Sequence, residues 1–444
     1  MWKVWRGLAS QSAIIFGGRI AGAGVTFLAQ AAIARFWGAG LLGEYLILIA
    51  STNLIGVVMP LGFHTVGVYF TAEYRARGDG RSLRAFMVRS YGHIAIVALV
   101  LALFGAPLAG LIGAPGQILQ SHWIPVVLMA LSAGMIFVSG AILVGLKRPY
   151  ASYFADGLFR PVAILTAFLA CMGFADPGAG FATMVWIIAG FCVVISLGQF
   201  AITIVAARKV PQTAEAPLPQ SRRWWRFAMP WVLISFATDF FFDIDLLLLS
   251  GHLSHADLAV FGVCTRLFAL ISFGVAAVYA VTVPDIFEAE ALSDRDGFNR
   301  KVGDANLVAS GLSVALFFGM LVAGPIALML FGPEFMAGVV PLAILCLALV
   351  VRSIFGPASM VLSIHDRPYA SLPSIAVGMV TLFVGNLVLV PAMGLTGAAL
   401  AALVAITVWS LLLWRTAYRA ARIDVSIFPR LKAFRSVEPA SPGA

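Results

Sequence analysis

Apolar runs as long as a membrane crossing alternate with short polar connections along the whole chain. A crossing helix needs roughly 20 consecutive apolar residues. Twelve segments meet that length: 11–35, 41–70, 86–107, 123–146, 151–172, 181–207, 227–250, 256–284, 303–331, 337–364, 370–391 and 396–418. Several exceed the minimum, which allows tilt or extension into the headgroup layer. The basic stretch Met1 to Arg6 precedes the first run, which is too long for a cleaved signal peptide and reads as a retained span. The pattern predicts an all-α polytopic membrane protein of about twelve transmembrane helices.

Composition agrees. Of 444 residues, 61% are hydrophobic and 11% charged, whereas soluble domains carry about 25% charged residues. An ordinary soluble enzyme, a disordered chain and a disulfide scaffold are excluded. A transmembrane β-barrel is excluded too, because alternating strands do not reach a mean hydropathy of +0.98. Cys171, Cys192, Cys264 and Cys346 all lie in apolar runs and read as small core residues.

The net charge of +9 has two readings, nucleic-acid binding and the enrichment of Lys and Arg in cytoplasmic loops. Their placement favours the second, so no nucleic-acid partner is expected. Of 29 basic residues, 24 fall in alternate connections, the termini or their flanks: Lys3 and Arg6; Arg75 to Arg89; Lys147 and Arg148; Arg208 to Arg226; Arg295 to Lys301; Arg367; and Arg415 to Arg435. The opposite connections, 108–122, 173–180, 251–255, 332–336 and 392–395, contain none. Both termini are therefore expected in the cytoplasm. The far-side loops are short, which counts against a glycan polymerase or glycosyltransferase that would need an outer loop to hold its substrate. The stretch 211–226, with Pro211, Pro217 and Pro219, reads as a linker between lobes at 1–210 and 227–420. The polar, basic tail over 421–444 reads as disordered.

The halves repeat. Arg148-Pro149-Tyr150-Ala151-Ser152 recurs as Arg367-Pro368-Tyr369-Ala370-Ser371 at an offset of 219, and the same offset maps Gly178-Ala179-Gly180 onto Gly397-Ala398-Ala399. The shift spans six helices, an even number, so the halves are parallel repeats about an axis along the membrane normal. Two pseudo-twofold-related six-helix lobes around a cleft suit alternating access.

Three stretches carry a family resemblance: Phe36-Trp37-Gly38 through Leu42-Gly43-Glu44-Tyr45 to Gly62; Asp243-Ile244-Asp245 with its following leucines, then Ala259-Val260-Phe261; and Gly394-Leu395-Thr396-Gly397-Ala398-Ala399. Ala259 and Phe261 stand where the family has Gly and Tyr. The chain resembles the multidrug/oligosaccharidyl-lipid/polysaccharide (MOP) exporter superfamily, and within it the polysaccharide-biosynthesis flippases. The resemblance implies a MATE-like fold in a bacterial inner membrane and a lipid-linked oligosaccharide as substrate. Polysaccharide-assembly proteins would be its partners.

Ionisable groups inside spans are costly and mark cavities or partners. Arg19, Arg266 and Arg352 lie within spans one, eight and ten. They either line the cleft, where a guanidinium matches phosphate oxygens, or pair between helices, or snorkel to an interface. Asp239 and Asp243 stand four apart on span seven and would share a face, as a site coupled to H+ or Na+ requires; pairing with an arginine is the competing reading. Asp156 and Arg160 have the spacing of an intrahelical salt bridge, and Glu44 lies at the outer end of span two, as a gate, a solvated group or a substrate contact. Trp224 and Trp225 read as an interfacial belt, and Pro60, Pro161, Pro230, Pro325 and Pro357 as kinks. No Walker loop, catalytic triad or metal-ligand cluster is legible, so neither a cofactor nor an enzymatic step is expected. The competing functions are a multidrug/cation antiporter, a membrane glycosyltransferase or polymerase, and an envelope scaffold.

Overall fold

The computed structural model describes residues 2–212, 221–291, 295–365 and 367–430. The chain forms two compact units, residues 1–259 and 260–444. The first holds α1 (Trp2–Trp37), α2 (Ala39–Val58), α3 (Phe63–Arg77), α4 (Gly80–Ala109), α5 (Ala114–Ser121), α6 (Trp123–Gly145), α7 (Pro149–Phe154), α8 (Arg160–Cys171), α9 (Pro177–Ala207), α10 (Ser221–Asp239) and α11 (Phe241–Leu249). The second holds most of α12 (His255–Ala291), then α13 (Arg295–Met329), α14 (Val339–Phe355), α15 (Ala358–Ile364) and α16 (Leu372–Ala421).

Among the described residues, ten helices are long and apolar enough to cross a membrane. They reconcile with the twelve expected segments at two places. Spans eleven and twelve run together as Tyr369–Ala420, broken at Gly394 with φ 55° and ψ −130°. Span seven is divided into α10, whose first turns are basic, and α11, which is only nine residues long, so neither is counted. The protein is a polytopic all-α membrane protein. All four cysteines are buried.

Prolines set several of the breaks. Span two bends at Pro60, where Leu61 (φ 49°) and Gly62 (φ 80°) adopt left-handed backbone. A side chain at Gly62 would overlap the Ala228 carbonyl, so the bend lets α10 cross closely. Span ten breaks at Gly356-Pro357, between α14 and α15. Pro325, by contrast, sits inside a continuous α13, and residue 230 inside a continuous α10.

α6 is the centre of the first unit, packed on α2, α3, α4 and α9. Lipid offers no hydrophobic drive between helices, so close approach through small residues holds them; Gly56 lies on Ala133 in this way. The sequence sets span seven at the head of a second lobe, yet α10 and α11 pack on α3 and α2 and belong to the first unit. Three contacts account for this. Arg223 Nη1 and Nη2 donate to Glu73 Oε1 and Oε2, at 3.0 and 2.9 Å, and Glu73 holds the guanidinium firmly protonated. Trp224 Nε1 donates to Tyr74 Oη at 2.7 Å, and burial pushes the Tyr74 phenol up to about 12. Trp224 also packs against Phe63 and Phe86. Trp224 is thus a core residue, correcting its reading as interfacial.

The internal repeat is visible in the backbone. Arg148 N donates to Leu143 O at 2.8 Å and Arg367 N to Leu362 O at 2.9 Å, the same bond displaced by 219. Leu146 N to Ile142 O and His365 N to Val361 O form a second such pair. Arg148 (φ −120°, ψ 60°) and Arg367 (φ −121°, ψ 43°) share one conformation ahead of their prolines.

The tail departs from expectation. Residues 422–430 fold back against the second unit instead of being disordered. Ile423, Val425 and Ser426 are buried. Val425 O accepts from Asn306 Nδ2 at 3.0 Å, and Ile427 N donates to Ile354 O at 3.1 Å. Arg430 Nε donates to Asp304 at 2.6 Å. Asp424 fixes the strap by accepting from Trp414 Nε1 at 2.7 Å and from Ser426 N and Oγ at 3.0 and 2.6 Å. Residues 431–444, and 213–220 of the linker, lie outside the described residues. Hydrogen bonds to a charged group contribute about 1.5–3 kcal/mol each. Asp424→Ala should therefore release the strap, with limited proteolysis cutting at 423–430 many times faster while α14 and α16 stay protected. Unchanged cleavage would show that Asp424 does not hold it.

Candidate functional site

Span five carries the densest intramembrane chemistry, and its local geometry follows from Pro161. A proline lacks the N–H that would ordinarily pair with the carbonyl four residues back, here that of Gly157. The turn Ala155–Phe159 is a π-helix, closed by Arg160 N donating to Ala155 O. Such insertions recur at functional sites because they splay side chains and free carbonyls. Gln199 on α9 satisfies two carbonyls at its start, donating to Ala151 O at 2.9 Å and Ser152 O at 3.1 Å. Gly22 of α1 lies against the Gly157 carbonyl, where any Cβ would overlap it.

A polar seam runs from this turn across the first unit. Arg160 Nη1 donates to Asp156 Oδ1 at 3.2 Å, and Arg160 Nη2 to Asn53 Oδ1 at 3.0 Å. Asn53 Nδ2 in turn donates to Asp243 Oδ2 at 3.4 Å. The Arg160 side chain is 12% exposed and that of Asp156 47%. The seam joins spans five, two and seven through one amide. On the other side of the π-turn, the Arg19 guanidinium lies 5.3 Å from the Tyr153 ring centroid, a cation–π contact. Arg19 is exposed and has no carboxylate partner among the described residues.

The structure thus brings Arg19, Asp156, Arg160 and Asp243 to one region. The Asp156–Arg160 salt bridge expected from spacing is present, with the π-turn between its ends. The shared face of Asp239 and Asp243 is not. α10 ends at Asp239 and α11 starts at Phe241, with Phe240 (φ −117°, ψ 23°) between them, so no continuous helix aligns the pair. Asp239 is exposed and accepts from Thr238 Oγ1 at 3.2 Å. Asp245 is fully buried. Glu44 Oε1 lies 3.5 Å from His255 Nδ1, near the start of α2. His122, nearby at the head of α6, has its pKa lowered by burial, with Glu44 pulling the other way.

The remaining arginines belong to the second unit. Arg266 is half-buried on α12. Arg352 is exposed in the last turn of α14, four residues before the Gly356 break, within electrostatic reach of Tyr279. It too has no carboxylate partner among the described residues. Asn53, Tyr153 and His255 were not singled out from sequence. For Asn53 a signal existed: Ser51-Thr52-Asn53 is a polar interruption midway along an apolar span.

The fold is shared with solved structures of membrane transporters. The chain is similar to a multidrug resistance MATE family transporter of the MOP superfamily, with TM-score 0.71 and 14% identity over 95% of both chains. It is similar to the lipid II flippase MurJ, with TM-score 0.74 and 11% identity over 97% of this chain and 94% of that one. It is also similar to the MATE transporter VcmN of Vibrio cholerae, with TM-score 0.65 and 17% identity over 94% and 98%. No protein-family model matches the chain, and no curated protein matches it by sequence.

Proposed function

We propose that this protein moves an anionic lipid-linked glycan across a bacterial inner membrane, with both termini in the cytoplasm. The observation that carries the reading is the pair of exposed span arginines, Arg19 and Arg352, that lack carboxylate partners among the described residues. An unpaired charge in a span is unfavourable unless it faces water or an anionic ligand, and a guanidinium matches a pyrophosphate bidentately. Two repeated lobes rocking in alternation would expose the headgroup first inward, then outward, while the isoprenoid tail stays in lipid. The membrane potential assists, since each negative charge leaving a negative interior gains about 2.3 kcal/mol per 100 mV. The chain performs no covalent step in this scheme; H+ or Na+ is the candidate coupling ion.

Deleting the gene should make a lipid-linked glycan accumulate on the cytoplasmic leaflet. The wild-type gene should clear it; Arg19→Ala and Arg352→Ala should each slow clearance about tenfold or more, the loss expected for one charge-assisted phosphate contact. Normal export in the deletion strain would overturn the flippase reading, and full rescue by both variants would overturn the arginine site. The exposed Asp239 at the α10–α11 break favours a second reading, a cation-coupled multidrug antiporter. Drug efflux abolished by Asp239→Asn would favour that one.

A further inference from the structure

The last turns of α16 carry a cluster that neither the flippase reading nor the fold requires. Arg415 and Arg419 lie four residues apart on one helix stripe, and Arg422 caps the helix three residues further on. With Leu411, Trp414 and Tyr418 they line a groove of about 720 Å³. Leu411 and Tyr418 are exposed apolar surface along it, and the three arginines are exposed between and beyond them. Among the described residues, the groove lining contains no carboxylate. The acid nearest in sequence, Asp424, is already engaged by Trp414 and Ser426. Two more arginines close in on the same helix end: Arg367 Nη1 donates to Ala420 O at 3.3 Å and Arg295 Nη2 to Arg422 O at 3.5 Å. Arg422 itself holds a left-handed backbone at φ 57°. That conformation is unfavourable for a residue with a side chain, and here it turns the chain from α16 into the anchored strap.

Three exposed guanidiniums line the groove and two more cap the carbonyls at the end of its helix, with no carboxylate among the described lining residues, beside an aliphatic and aromatic wall where span twelve is expected to leave the bilayer. Basic pockets at such a depth match phosphate headgroups, with the apolar wall receiving the acyl chain. We propose that this groove binds the headgroup of an anionic phospholipid from the leaflet that meets the end of span twelve. The groove is built entirely from the second unit and shares no lining residue with the span arginines of the proposed transport path.

The test uses the full-length protein in neutral detergent with phosphatidylglycerol, phosphatidylcholine or inorganic phosphate added. Retained lipid is counted by native mass spectrometry and thermal unfolding is followed by tryptophan fluorescence. The wild-type protein should retain phosphatidylglycerol and unfold at a higher temperature with it, and should do neither with phosphatidylcholine. Replacing Arg415, Arg419 and Arg422 together by Gln should weaken phosphatidylglycerol retention about a hundredfold. Removing the same charge elsewhere on that membrane side, as Arg81→Gln, Arg208→Gln and Lys209→Gln, should leave retention within about threefold. If the triple groove variant does not fold, Arg419→Gln alone supplies the comparison, with about a fivefold loss expected. Equal loss from the two triple variants would overturn the proposal in favour of a general basic surface. An equal stabilisation by inorganic phosphate would overturn it in favour of a soluble anion.

Discussion

Arg160→Ala is expected to lower the melting temperature by several degrees and to abolish transport, while Asp156→Asn should leave both close to wild type. The two residues form one salt bridge, so a pairwise view predicts equal costs. Exposure decides otherwise. Asp156 is 47% exposed and rehydrates when its partner is removed, whereas Arg160 is 12% exposed and also bonds Asn53. An exposed pair contributes roughly 0.2–1 kcal/mol, which bounds the Asp156→Asn loss. Interhelical polar bonds in membranes average about 0.6 kcal/mol and reach about 1.7, so losing the Asn53 bond together with the Asp156 pair should cost about 1–3 kcal/mol. The functional loss follows from connectivity. Asn53 is held by Arg160 on one side and bonds Asp243 on the other. Without the guanidinium, the Asn53–Asp243 pair loses the bond that ties it to span five. A double-mutant cycle on Arg160→Ala and Asn53→Ala should show coupling near 1 kcal/mol, and Arg160→Ala with Asp156→Asn much less. Equal losses from the two single substitutions would refute the seam as the organising contact.

The spans were legible because hydropathy averaged over twenty residues tolerates local errors; all twelve expected segments coincide with helix. Breaks were legible where a proline made them, at Pro60, Pro161 and Pro357. The break at Phe240 has no proline, and that is why the i, i+4 argument for Asp239 and Asp243 failed: it presumes an unbroken helix. The tail was misread because composition was weighed over 421–444 as a block, although Ile423, Val425 and Ile427 alternate with polar residues as a half-buried segment does. Partnerships such as Asn53 with Arg160 and Asp243, separated by 107 and 190 residues, depend on which helices pack together, and spacing carries no record of that. The repeat adds one distinction. Asp156 and Arg160 map at the same offset onto Ile375 and Met379. The duplicated segment therefore kept its turn in both halves and its charges in one, which is expected if the charges serve a task rather than the fold.

Three glycines of α1 should respond to alanine in a fixed order, and the order tests whether Arg19 is positioned by packing. Gly18 and Gly22 form a small-xxx-small pair facing α7 and the π-turn, with Arg19 between them. At Gly22 a Cβ would overlap the Gly157 carbonyl, which is backbone and cannot turn aside. At Gly18 it would meet the Phe154 ring at 2.6 Å, a side chain that can rotate. At Gly24 nothing lies within 4 Å. Overpacking against an immovable group costs about 1–3 kcal/mol, so Gly22→Ala should be the most destabilising and Gly18→Ala milder. Gly24→Ala should be neutral or stabilising by up to about 1 kcal/mol through helix propensity. The larger consequence is functional. To accept a Cβ at Gly22, α1 must back away from the π-turn by an ångström or more, and Arg19 leaves Tyr153 with it. Gly22→Ala should thus reproduce the transport defect of Arg19→Ala with the arginine still present. Thermal unfolding of the three purified variants, with glycan clearance measured in the deletion strain, checks both parts. If Gly22→Ala is as stable and active as Gly24→Ala, α1 is not fixed by this contact and the placement of Arg19 must rest on something else.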